Sequence, residues 1–133
     1  MTPRSLSERG WTLIEMVVVM ALIVILAGMA TAQYRNAVTR SQEAVLREDL
    51  FRMRDAIDQY YADKNKYPSD LNALVSDGYM REVPRDPFTE TADTWQTTPA
   101  DPDPTNPNVA PGIYNVHSGT ERAALDGTPY SNW

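Results

Sequence analysis

Between Trp11 and Ala32 the chain carries one charge, Glu15, among apolar and small side chains. At a rise of about 1.5 Å per residue a helix of that length crosses the roughly 30 Å hydrocarbon core of a bilayer. The stretch therefore reads as a membrane helix, and the remaining residues must be arranged around it.

A short basic leader, MTPRSLSERG with Arg4 and Arg9, precedes the apolar run. A secretory signal would carry a small-residue cleavage site after its apolar core, and none follows cleanly here. Gly10 instead sits before the core, where a cut removes the leader and leaves the apolar segment as an anchor. Glu15 then lies close to the new amino terminus at Trp11. A carboxylate in hydrocarbon costs several kcal/mol unless it finds a partner, and its own helix offers no cation nearby. The α-amino group of Trp11 in a neighbouring copy would serve, which implies self-assembly. The alternative is an interfacial Glu15 that reaches the headgroups along its own stem.

G-W-T-L-I-E followed by an apolar run resembles the class III signal of type IV pilins and type II secretion pseudopilins, usually G-F-T-L-I-E. The resemblance implies that a prepilin peptidase cuts between Gly10 and Trp11 and N-methylates Trp11, and that Glu15 guides assembly into a filament. It also implies a cytoplasmic leader, a single pass through the inner membrane and a periplasmic C-terminal domain. Charge alone leaves orientation open, because Arg35 and Arg40 follow the anchor as Arg4 and Arg9 precede it. Trp11 stands for the usual Phe, and Ala32 for a proline that loosens the helix in assembled filaments; Gly28 is the remaining weak point.

The 133 residues allow one small domain beside the anchor. The net charge of −6 argues against a nucleic-acid partner, and with no cysteine no disulfide braces the domain. The expected division is a leader (1–10), an apolar helical half (11–32) and a head (33–133). The head comprises an amphipathic helix (33–62), an αβ loop (63–90) and short strands with a C-terminal loop (91–133). The fold class is α+β: one long N-terminal helix packed by the loop and a small antiparallel sheet.

Along the helix, Tyr34, Val38 and Val45, then Leu46, Leu50, Met53, Ile57 and Tyr60 recur at helical spacing. A continuous helix to about Tyr61 follows. Glu43 with Arg47 and Glu48 with Arg52 have i, i+4 spacing with the acid first, the better orientation. Beyond it, Ser69 is placed to cap a short helix through Leu71 and Leu74 that Gly78 ends, and Pro84 and Pro87 forbid regular structure. The order YP, a Leu-rich turn, GY, then VPRDPF resembles the segment of G-type pseudopilins with a PxDPW motif. DTWQTT suits a strand, and DPDPTNPNVAP is a surface loop. Asp101, Asp103 and Asn106 hint at a calcium loop, but the turn glycine and the closing glutamate are missing.

Ile113, Tyr114, Val116 and His117 suit a second strand, and Gly119, Gly127 and Pro129 bound a tight loop before Tyr130 to Trp133. This tail resembles the C-terminus of major pseudopilins, where a loop binds calcium through oxygen ligands. Carried over, the ligands would be Ser118 and Asp126, with Glu121 and backbone carbonyls near Leu125 and Ser131; the alternative is a plain turn at Asp126-Gly127.

Neither a nucleotide loop nor a zinc spacing is present, and one histidine, His117, cannot by itself make a triad. A structural protein is expected, not an enzyme. By the resemblance, its partners would be other copies of itself, prepilin peptidase, minor pseudopilins, an inner-membrane assembly platform and membrane lipid. A type IV pilus subunit is the second reading. A membrane-anchored binding module that exposes Trp95 and the Pro/Asp loop is the third.

Overall fold

The structure, a computed structural model, describes residues 6–133, with side-chain surroundings from Gly10 onward. Arg4 of the expected leader and the Arg9 side chain lie outside the described residues. The chain divides into two compact units, one ending at Val38 and the other running from Thr39 to Trp133.

From Leu6 onward the first unit is helical and belongs to α1 (Leu6–Lys64). Its large apolar side chains from Trp11 onward all face outward, from Trp11 at 74 % exposed to Val38 at 40 %. Water does not tolerate a continuous apolar surface of this kind, which marks contact with lipid or with another protein. Among the described residues, α1 is the helix long and apolar enough to cross a membrane. The helix runs unbroken through Gly28 and Ala32, and there the Thr31 hydroxyl donates to the Ala27 carbonyl at 2.9 Å.

The second unit is built on the rest of α1. Leu46, Leu50, Met53, Ile57 and Tyr60 are buried, and their alternating spacings of four and three keep them on one stripe. Tyr34, Val38 and Val45 were expected on that face and are exposed instead. Val45 immediately precedes Leu46, and one residue turns a helix by about 100°, so both cannot face the core. The helix extends slightly past Tyr61, to Lys64, and Asn65 stops it with a φ of 53°.

α2 (Leu71–Ser76) is capped by Asp70, not by Ser69. Asp70 is in an extended conformation and its Oδ1 accepts the Ala73 N–H at 2.7 Å, the geometry an N-cap requires. At the other end Tyr79 N–H reaches the Leu74 carbonyl and Gly78 N–H that of Val75, with Gly78 at φ 83°. This paired closure needs a left-handed residue, so Gly78 ends the helix as expected.

No regular element occupies 84–87. β1 (Gln96–Pro99) pairs antiparallel with β2 (Ile113–His117), Gln96 opposite His117, and the register slips between Thr98 and Pro99, where proline offers no N–H. The intervening Asp/Pro segment is exposed and forms turns. A 3-10 turn, Tyr130–Asn132, ends the chain. One core cluster joins Leu46, Leu50 and Met53 of α1 to Trp95, Val116, Ala124 and Tyr130; the other joins Ala56, Ile57 and Tyr60 to Leu74 and Ile113. Trp95 is 7 % exposed and its indole N–H donates to the Pro84 carbonyl at 2.8 Å. The expectation that Trp95 offers a binding surface is therefore corrected: Trp95, immediately before β1, fills the core, and the strand expected over DTWQTT begins only at Gln96.

Candidate functional site

The N-terminal candidates lie on one regular helix. Gly10, Trp11 and Glu15 are all helical and exposed, and Trp11 and Glu15, four residues apart, share a face one turn from each other. A side chain added at Gly10 would meet nothing within 4 Å. Among the described residues no cation pairs with the Glu15 carboxylate. What this segment presents is one acid within an otherwise apolar helical surface, which can select a position for a cationic partner along it.

The C-terminal candidates are dispersed among different partners. Ser118 is 1 % exposed and its hydroxyl donates to Asp86 Oδ2 at 2.5 Å. Asp126 is exposed, and its Oδ1 accepts both the N–H and the hydroxyl of Thr128, at 2.9 and 2.6 Å. Those two bonds hold its carboxyl below the usual carboxylate range. Glu121 lies exposed on the surface. Among the described residues no group of three or more His, Asp or Glu side chains is placed to hold a metal ion. His117 has a structural contact, its Nδ1 lying 3.0 Å from the Trp133 carbonyl.

Three buried or half-buried polar residues do the joining, and sequence reasoning passed over their roles. Glu43 of α1 is 8 % exposed, and its Oε1 accepts the Leu125 N–H and the Tyr130 hydroxyl, each at 2.9 Å. It does not pair with Arg47, as i, i+4 spacing suggested; the Arg47 guanidinium lies 4.2 Å from the Trp133 ring centre instead. The Glu48–Arg52 pair does form, at 2.8 Å, on the exposed face. Asp86 is fully buried and takes the Phe88 N–H on Oδ1 and the Ser118 hydroxyl on Oδ2, tying the loop after α2 to the end of β2. Arg54 donates to Asn115 Oδ1 and to the carbonyls of Val116 and Trp133. Glu43 had a visible signal, since it falls three residues before Leu46 on the same stripe. Asp86 had only the VPRDPF block.

Tyr130 is fully buried, stacked on Phe88 at 4.2 Å between ring centres. Burial, then the hydrogen bond to Glu43, pushes its phenol up to about 12. A folded-state value above the unfolded one of about 10 favours the neutral phenol in the folded head. The resulting stabilisation is complete below pH 10 and is lost as pH rises through about 12. Unfolding free energy measured across that window should fall in the natural chain, and Tyr130→Phe should remove this part of the decline; identical slopes would refute the assignment.

Residues 6–31 match the family model described as the prokaryotic N-terminal methylation motif. The chain is 30 % identical over 97 residues to the type II secretion system core protein G of Pectobacterium carotovorum, covering 61 % of this chain and 62 % of that protein. It is 31 % identical over 97 residues to the protein of that name from Pseudomonas aeruginosa, covering 61 % and 68 %. It is also 35 % identical over 81 residues to fimbrial protein EcpC of Eikenella corrodens, covering 57 % and 53 %. The chain thus spans little more than half to about two thirds of these relatives. No solved structure matches.

Proposed function

The chain belongs to the family of type II secretion core protein G, and from that premise we propose that it is a structural subunit of a pseudopilus filament in type II protein secretion. A peptidase removes the leader after Gly10, Trp11 becomes the methylated first residue, and copies assemble through the apolar half of α1. Glu15 meets the amino group of a neighbouring copy and sets the register between helices. The observation that carries this reading is the exposed apolar surface of residues 11–32 with its single carboxylate, Glu15. Such a surface is satisfied by lipid before assembly and by other helices afterwards.

In this reading the chain is anchored once in the inner membrane with its head in the periplasm. It acts with prepilin peptidase, minor pseudopilins and an inner-membrane assembly platform, and it needs no catalytic residue of its own. The contact between copies is head-to-tail, which generates an open helical polymer. Negative-stain imaging of cells that overexpress the processed chain should show filaments; their absence would count against the reading. The fimbrial likeness supports a pilus subunit as the second reading. Deleting the gene should block protein export if the first is right, and twitching or adhesion if the second is.

Gly10 supplies a cleaner test of processing than of folding. Because a side chain there touches nothing within the chain, Gly10→Ile should leave the helix intact while blocking the cut. Immunoblots should then show the longer, leader-bearing form accumulating in the membrane fraction. Normal processing of that variant would place the cut elsewhere.

A further inference from the structure

We propose that the C-terminal loop of this chain is held to the head by the carboxylate of Glu43 and not by a divalent cation. Calcium takes six to eight oxygen ligands in one shell. Two of the candidate side chains are engaged separately, the Ser118 hydroxyl with Asp86 and the Thr120 N–H and Asp126 with Thr128 in its own turn, and the third, Glu121, lies exposed on the surface. Among the described residues no buried side-chain nitrogen or oxygen lacks a hydrogen-bond partner, and no group of three or more His, Asp or Glu side chains is placed to hold a metal ion.

The work of fastening the loop is done from α1. A single oxygen of Glu43 receives donors 82 and 87 residues further along the chain, from the Leu125 backbone and the Tyr130 hydroxyl. Both bonds are to a carboxylate, the stronger class of hydrogen bond; the one from Tyr130 is buried and the one from Leu125 partly so. Between these two points the loop closes on itself, with Ala124 N–H to the Thr128 carbonyl at 2.7 Å and Gly127 N–H to that of Ala124 at 2.9 Å. Tyr130 N–H reaches the Arg122 carbonyl at 3.2 Å, and the Trp133 indole donates to the Thr128 hydroxyl at 3.0 Å. Glu43 thus joins two points of a loop that is already closed locally, which is what an ion would otherwise do.

The test uses the full chain in detergent micelles, with melting temperature and amide exchange as readouts, and is independent of filament formation. Saturating calcium and then excess chelator should leave the melting temperature unchanged; a filled calcium site would raise it by about 10 °C or more. Glu43→Ala should speed exchange of the Leu125 amide about tenfold or more, without the same change at amides of α2. Glu43→Gln, which keeps an acceptor oxygen and loses the charge, should restore part of that protection. A saturable rise in melting temperature with calcium would overturn the proposal. So would an unchanged Leu125 amide in the glutamine variant, which carries the test if the alanine variant does not fold.

Discussion

Glu15→Val should give a chain that is cut normally, remains in the membrane and forms no filaments. Valine makes the segment more apolar, so insertion and the helix itself have nothing to lose. In the proposed filament, what disappears is the partner of an amino group that would sit in or beside hydrocarbon in each neighbouring copy. Removing one member of a buried ion pair costs about 3–5 kcal/mol, because the other is left uncompensated. At about 1.4 kcal/mol per tenfold, each contact between copies weakens by two to three orders of magnitude. A polymer that must form this contact at every step does not survive such a loss. Imaging and an immunoblot of one preparation decide the matter: normal processing with no filaments is expected, and filaments of normal number would remove the assembly role of Glu15.

Gly119→Ala should be the most damaging small change in the head. The new methyl group would stand 1.9 Å from the Thr94 carbonyl oxygen and 2.9 Å from its carbon, both backbone atoms that cannot swing aside. Thr94 is further held by a 2.6 Å hydroxyl contact with Thr89, and it directly precedes Trp95 and β1. Separating the chains there means parting β1 from the end of β2 and shifting Trp95 in the core. Forced insertions of this kind cost about 3 kcal/mol, or roughly 10–20 °C in melting temperature for a domain of this size. Gly127→Ala provides the comparison. Its φ of 88° disfavours alanine, but the added carbon meets nothing within 4 Å, so a loss of about 1 kcal/mol is expected. Equal melting temperatures for the two variants would show that the close approach at Gly119 relaxes freely.

The comparison of Gly119 with Gly127 marks the limit of reading glycines in a sequence. Both were expected to bound one loop. Gly127 does so by its conformation, whereas Gly119 is there because the backbone of Thr94, two residues before β1, lies against it. The two candidate ion pairs on α1 diverge in the same way. Glu48 and Arg52 meet on the exposed face, where local spacing is all that matters. Glu43 and Arg47 have the same spacing and separate, because each finds a partner more than eighty residues away. Trp95, set among threonines and aspartates, reads as a surface residue until the Pro84 carbonyl and the α1 stripe are seen around it.

The sequence alone determined the long apolar helix, the lone acid within its apolar half, the core stripe from Leu46 to Tyr60 and two short strands. Each is encoded within a few turns or a few residues, by hydropathy, periodicity or turn chemistry. Only the tertiary structure decided which acids are buried and what they fasten. Glu43 falls on the core stripe and Asp86 in the VPRDPF block, but what each fastens comes from donors brought to it by distant segments. Partners for a buried carboxylate are chosen by the packing of the whole head, and packing has no local period to read.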